Sequence, residues 1–240
     1  MQKNRLICGD FLKVWTKLGK FDCIILDPPD NIGLKYNSFQ DNLSDDDYRR
    51  FLTKILLVSR TLSPIVWMSF NARWIFTVGE IVNSALKFRS DCEAKLFINT
   101  FTFGQHNKHD CGNGYRPLLR FMKKGTPLYP DAIKVPSIRQ LTGDKRAAPG
   151  GKVPLDVWNF ERITGNCKER RSWHPTQHRE AMIKRIIDFS TLPGQSVCDV
   201  FSGTGTVLRA CNDRNITSIE IDKYYCKQIA KEHKLKIEVI

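Results

Sequence analysis

The chain has 240 residues, 41% of them apolar and 26% charged. That size and balance fit one α/β domain, or one domain with an insertion, and exclude a disulfide-stapled miniprotein or a disordered chain. Lys and Arg number 38 against 25 Asp and Glu, a formal charge of +13, which favours a polyanionic partner, nucleic acid first. No run approaches eighteen apolar residues and the start MQKNRLICGD lacks the pattern of a secretory leader, so a cytoplasmic protein without a membrane partner is expected. The eight cysteines form no C-x-x-C pair and most lie in apolar runs. They read as reduced core residues, and no metal is indicated.

The predicted elements begin with a strand over 21–26 (FDCIIL), which ends in Asp27-Pro28-Pro29-Asp30. Two prolines stiffen this loop and remove N–H donors, leaving carbonyls and carboxylates at a strand end. Such a cradle suits an amine that must donate hydrogen bonds; an ordinary Asp-Pro turn is the alternative. A helix is predicted from 45 to 62. Ser44 can cap it, Asp45 to Asp47 suit its positive start, and Tyr48, Phe51, Leu52, Ile55 and Leu56 share a face. A strand over 65–70, a helix around 72–86 and the strand AKLFINTFTF follow. That alternation predicts βαβ units and a mostly parallel sheet.

From 104 to 173 no period is sustained, and Lys and Arg outnumber Asp and Glu by more than two to one. A basic, loop-rich insert that contacts nucleic acid is expected, with a solvated surface excursion as the alternative. His106, Lys108, His109, Arg116, Arg170 and Arg171 are its candidate contacts. His106 and His109 are spaced like metal ligands, but the surrounding glycines favour a DNA-contacting loop.

Alternation returns after 176. A helix to Phe189 is predicted with Ala181, Met182, Ile186 and Ile187 inward, then the strand SVCDVF and the loop Asp199-Val200-Phe201-Ser202-Gly203-Thr204-Gly205-Thr206 before another helix. Glu220 stands 21 residues beyond Asp199, at the end of the strand ITSIEI, where an acidic residue can accept both ribose hydroxyls of a nucleoside ligand. The loop lacks a third glycine and a Gly-Lys-Ser/Thr string, so a nucleoside without phosphates fits better than a pyrophosphate; an ordinary strand-to-helix turn is the alternative. A helix through Tyr225 and Ile229 and a closing strand LKIEVI end the chain.

The D-P-P loop, the F-S-G-T-G loop and Trp173-His174-Pro175-Thr176-Gln177 together resemble the S-adenosylmethionine-dependent amino-methyltransferases of DNA. The resemblance implies a doubly wound, Rossmann-like α/β sheet and double-stranded DNA as partner, worked on by a monomer or homodimer. Because the D-P-P loop comes first, the order resembles the permuted β class, with a catalytic half at 1–103, a target-recognition insert at 104–173 and a cofactor half at 174–240. Strings around 104–121 and 166–177 also resemble phage-type methylases carrying D-P-P-D, for which the address would be the host cytoplasm. The resemblance assigns S-adenosylmethionine to Asp10 of the Cys8-Gly9-Asp10 element, Asp27, Asp199, Phe201, Ser202, Gly203, Thr204, Gly205, Glu220, His174 and Thr176. Thr176 reads as a helix cap or a cofactor contact, and His174 as structural or cofactor-adjacent rather than as a base.

Catalysis is implied for Asp27, Pro28, Pro29 and Asp30, acting on the exocyclic amine of a base flipped out of the duplex. Asp27 leans towards N6 of adenine over N4 of cytosine. The family's fourth loop residue is an aromatic that stacks on the base; here it is Asp30, and Tyr36 or Phe39 is expected to supply the face. A non-catalytic DNA-binding protein and an RNA methylase are the further alternatives.

Overall fold

The computed structural model describes residues 4–102, 107–147 and 149–240. Nine strands, β1 (Arg5–Cys8), β2 (Cys23–Leu26), β3 (Ile65–Ser69), β4 (Cys92–Thr100), β5 (Tyr115–Lys123), β6 (Val157–Asn159), β7 (Ser196–Asp199), β8 (Asn215–Glu220) and β9 (Ile237–Glu238), form one sheet in the order β6-β4-β5-β3-β2-β7-β8-β1-β9. Only β5 runs antiparallel to its neighbours, β3 and β4. The helices are α1 (Phe11–Val14), α2 (Asp45–Leu62), α3 (Ile75–Phe88), α4 (Ile138–Leu141), α5 (Glu180–Ser190), α6 (Thr206–Ala210) and α7 (Lys223–His233).

Successive residues of a strand point to opposite faces, and β2 shows what each face meets. Ile24 and Leu26 pack with Phe11, Leu52, Leu56 and Ile81, whereas Cys23 and Ile25 pack with Met182, Ile186, Val207 and Ile229. Helices α1 to α3 therefore cover one face and α5 to α7 the other, the doubly wound arrangement the sequence implies. Helix α2 starts as its residues dictate: the Ser44 side chain accepts from the Asp47 N–H, and Tyr48, Leu52, Ile55 and Leu56 are buried. The predicted 72–86 helix begins as a 3-10 turn, Ala72–Trp74, that runs into α3.

Three expectations are corrected. On α5 the inward residues are Met182, Ile183, Ile186 and Ile187, while Ala181 is exposed, because its neighbours 182 and 183 hold the stripe. Segment 104–173 is not loop throughout: β5 lies between β3 and β4 deep in the sheet, and β6 forms its edge. Strand β5 (YRPLLRFMK) evades a sequence reading because both its faces are covered, so its apolar residues run together instead of alternating. Of the cysteines, Cys23, Cys92, Cys198, Cys211 and Cys226 are buried, but Cys8 and Cys167 are half-buried and Cys111 is exposed; all eight are free. Among the described residues no helix is long and apolar enough to cross a membrane.

The place of β5 is testable. Phe121 is fully buried, so Phe121→Ala is expected to cost about 3 to 5 kcal/mol in denaturant unfolding. A cost below about 1 kcal/mol would return this segment to the status of a peripheral insert.

Candidate active site

In an open α/β sheet, ligands bind outside the carboxyl ends of the parallel strands, where the direction of winding reverses. Here the ends of β1, β2, β7 and β8 open on a cavity of about 1090 Å³, lined by Gly9, Asp10, Asp27 to Asp30, Tyr36, Phe39, Asp199 to Thr204, Glu220 and His174 to Arg179. Nearly all the predicted catalytic and cofactor residues thus meet in one place. Gly205 is the exception, serving as the N-cap of α6 in a left-handed conformation.

On the cofactor side, Gly203 has φ +47°, and a Cβ there would lie 3.1 Å from His174 Nε2, so a larger residue would displace the ring. Glu220 holds this turn from below. Its Oε2 accepts the Gly203 N–H at 2.7 Å and its Oε1 the Asp222 N–H at 2.9 Å. Burial pushes the Glu220 carboxyl up to about 7 and that of Asp199 up to about 8. Ser202 and Thr204 are buried in the turn, Ser202 Oγ donating to the Asp199 carbonyl and Thr204 Oγ1 pairing with Thr206 Oγ1. Asp10 caps α1, accepting the Leu12 N–H at 2.9 Å, and Phe201 meets Phe51 edge-on. Carboxylates, one apolar ring and a bare glycine turn complement a ligand carrying ribose hydroxyls and positive charge, and so fit S-adenosylmethionine.

His174 is nearly buried, its Nδ1 2.6 Å from the Thr176 carbonyl. A carbonyl only accepts, so Nδ1 carries the proton. Burial lowers this imidazole's pKa, and Tyr36 and Tyr225 rings pack against it. It is a neutral wall of the Gly203 turn. Thr176 lines the cavity but is not a helix cap. The N-cap of α5 is Arg179, and the first helical N–H, that of Glu180, is taken by Glu169, because the chain needs three more residues to turn into the helix. Gln177 braces the turn against the Arg171 N–H and the Glu169 carbonyl.

The acceptor side is organised by Arg116. Its Nη1 and Nη2 bond the two oxygens of Asp30 at 2.8 and 3.0 Å, Nη2 also reaches Asp27 Oδ1 at 2.9 Å, and Nε donates to Ser69 Oγ. His178 Nε2 lies 3.0 Å from both Asp27 Oδ1 and Ser69 Oγ. The loop backbone is pinned too, with the Trp74 indole N–H on the Asp30 carbonyl and the Tyr48 hydroxyl on that of Pro29, each at 2.7 Å. Burial disfavours charge on Asp27, but His178 and Arg116 outweigh it and hold the carboxyl well below the usual range. The side chain of Arg116 is only 20% exposed, so its expected role as a DNA contact is corrected: two carboxylates consume its fork. Asp30 faces that guanidinium and is its counter-ion.

After Asp30 the chain doubles back as a strap. Asn31 and Gly33 take positive φ, and the buried Asp41 carboxylate accepts the N–H groups of Asn31, Ile32 and Leu34. The strap is then clasped to the start of α7, where Asp222 accepts from Asn37 and from Ser38. Tyr36 and Phe39 are thereby brought to the cavity wall with ring centroids 6.2 Å apart. Lys108 and His109 are exposed at the cavity mouth, and His106 lies outside the described residues. Arg170 is half-buried. Arg171 is corrected from a phosphate contact, because its Nε and Nη2 are bound to Glu232. Ser69, Asp41, Asp222 and His178 escaped the sequence reading; His178 alone carried a signal, as the residue following Gln177.

A doubly wound sheet whose glycine turn and acidic strand end face a proline-stiffened acceptor loop is a Rossmann-like methyltransferase architecture. The DNA methylase family model, covering N6 and N4 enzymes, matches residues 21–232. The type II methyltransferase M.HpaI of Haemophilus parainfluenzae is 30% identical over 95% of this chain and 73% of its own. The DNA adenine methyltransferase YhdJ of Escherichia coli is 28% identical over 94% and 81%. Among solved structures, the M1.HpyAVI–S-adenosylmethionine complex superposes with a TM-score of 0.62 at 19% identity, covering 95% of this chain and 98% of that one. The chain belongs to the N6/N4 DNA methylase family. It is an S-adenosylmethionine-dependent enzyme of DNA.

Removing Arg116 should expose what it balances. Arg116→Gln leaves two carboxylates unpaired and is expected to lose about 3 to 5 kcal/mol at pH 7. Asp27 is depressed in the wild type, so its contribution is full above the ordinary carboxylate range and is lost as pH falls through its folded pKa. The variant's deficit should therefore shrink as pH drops and the stranded carboxyls protonate. A deficit independent of pH would contradict the pairing.

Proposed function

We propose that the protein methylates the exocyclic N6 of adenine in double-stranded DNA after flipping the base into the cavity. The observation that carries this reading is Asp27, ionised and stiffly mounted at the end of β2, with part of its side chain open to the cavity that the Gly203 turn also lines. An exocyclic amine is a poor nucleophile because its lone pair is delocalised into the ring. In this reading the Asp27 carboxylate and the Pro28 carbonyl accept its two hydrogens, which draws the nitrogen towards tetrahedral geometry and turns its lone pair out of the ring plane. When bound, S-adenosylmethionine supplies the electrophilic methyl group. Asp10, Asp199 and Glu220, with the Phe201 to Gly205 turn, His174 and Thr176, are its holders in this reading. Preorganised acceptors and positioning are the protein's contribution.

Phe39, with Tyr36 beside it, is assigned the stacking face that the family's aromatic provides elsewhere. The loop order supports the permuted β class. Parts of 104–173 outside β5, with Lys108 and His109 at the mouth and Arg170 behind, are assigned to DNA recognition. Asp at the first loop position supports adenine, and the similarity to YhdJ, named as an adenine enzyme, points the same way.

Mass spectrometry of nucleosides from DNA of cells expressing the protein is expected to show N6-methyladenine; 4-methylcytosine or an unmodified nucleoside pool would overturn the assignment. In the same assay Asp27→Ala should lose about a hundredfold or more in rate with cofactor affinity intact. Phe39→Ala should lose about tenfold or more at an unchanged melting temperature. A large fall in that temperature would assign the Phe39 ring to packing.

A further inference from the structure

Methyl transfer to a neutral amine leaves a proton to dispose of. As the nitrogen bonds to the methyl carbon, the carbon–sulfur pair goes to sulfur, and the positive charge of the sulfonium passes to the amine nitrogen. An N–H bond must then break and its proton must go to some base. Asp27 touches that nitrogen in the reading proposed above, on which this inference rests. It is a poor resting place, because Arg116 and His178 both stabilise its ionised form.

We propose that His178 is the proton acceptor of the reaction, taking the proton from Asp27 through the contact between its Nε2 and Asp27 Oδ1. The geometry is direct: 3.0 Å to Asp27 Oδ1 and 3.0 Å to Ser69 Oγ, with the His178 side chain 17% exposed at the cavity wall. Arg116 Nη2 already satisfies Asp27 Oδ1, so the step requires the imidazole to rest with its proton on Nδ1 and with Nε2 accepting from the Ser69 hydroxyl, a hydrogen bond that Nε2 exchanges for the proton Asp27 receives. Ser69 Oγ already accepts from Arg116 Nε, which leaves the Ser69 hydrogen free to turn to His178 or Asp27. The charged group in contact with the imidazole is Asp27 from the end of β2, and Arg116 from β5 and Asp30 reach it through Asp27 and Ser69. On its own segment Arg179 is engaged by Glu169 and Cys167, and His174 by Thr176.

Charge arithmetic singles out this histidine. Asp27, Asp30 and Arg116 sum to one negative charge, the complement of a sulfonium cofactor, when His178 is neutral. After transfer the cofactor product is uncharged, and the same cluster becomes neutral by holding the released proton on His178. The total charge of the site is the same before and after, so no charge has to be created in a poorly solvated cavity. From His178 the proton leaves to solvent.

The test is the pH profile of single-turnover methyl transfer from labelled cofactor to unmethylated bacterial DNA. The wild type should rise with pH through the near-neutral range in which imidazoles titrate and then level off. His178→Gln keeps a hydrogen-bonding side chain, and should lose that limb and about a hundredfold in plateau rate with cofactor affinity within about twofold. His178→Ala should recover rate when imidazole is added.

A second readout needs no turnover. Calorimetry in buffers of different ionisation enthalpy should show the wild type releasing protons on binding S-adenosylmethionine and fewer on binding the uncharged product, a difference reduced in His178→Gln to what Glu220 and Asp199 supply. A glutamine variant that keeps the acid limb and more than half the rate, or the same proton release in both proteins, overturns the proposal. A wild type that methylates no DNA base overturns the functional reading itself.

Discussion

One guanidinium governs the acceptor half of this enzyme. Two carboxylates, Asp27 and Asp30, sit within one four-residue turn at the end of a buried strand, where isolated charge would be strongly disfavoured. Arg116 enters from the antiparallel strand β5 and bridges them with a planar fork, its remaining Nε going to Ser69. Several features follow from that choice. Asp27 stays ionised. Asp30 is drawn towards the guanidinium, so the loop's fourth residue cannot offer a flat face to a base. His178 finds a carboxylate oxygen and a hydroxyl at hydrogen-bond distance.

The strap brings Tyr36 and Phe39 to the cavity wall. Gathering the Asn31, Ile32 and Leu34 amides on Asp41 turns the chain back, and the clasp of Asn37 and Ser38 on Asp222 fixes it to α7. Asp222 lies two residues beyond Glu220, whose carboxylate supports the Gly203 turn and the Asp222 amide. The Tyr36 and Phe39 wall and the Gly203 turn are thus joined through one short segment.

Much of this was legible in the sequence, for local reasons. Ser44 followed by three aspartates starts α2, and the glycine loop with Glu220 marks the cofactor side, because capping and strand-to-helix turns are decided by neighbours in the chain. What was not legible depends on partners far apart in sequence. Arg116 looks like any basic residue in a basic stretch; its partners Asp30 and Asp27 lie 86 and 89 positions earlier. Arg120 disguises β5 in the same way, since its charge lies over Trp67, Phe97 and Phe189 instead of facing water. Arg171 misleads in the opposite sense, as an apparent surface cation that Glu232 has already claimed.

The account stands on Asp27 being held ionised by its contacts with Arg116 and His178. Carbon-13 NMR of the carboxyl groups, with the Asp27 resonance assigned by comparison with Asp27→Asn, follows that state directly through an acid titration of the free protein. The account predicts an Asp27 signal that stays at its ionised shift through the ordinary carboxylate range, down to the pH at which the protein unfolds. A signal that titrates alongside the exposed aspartates would contradict it.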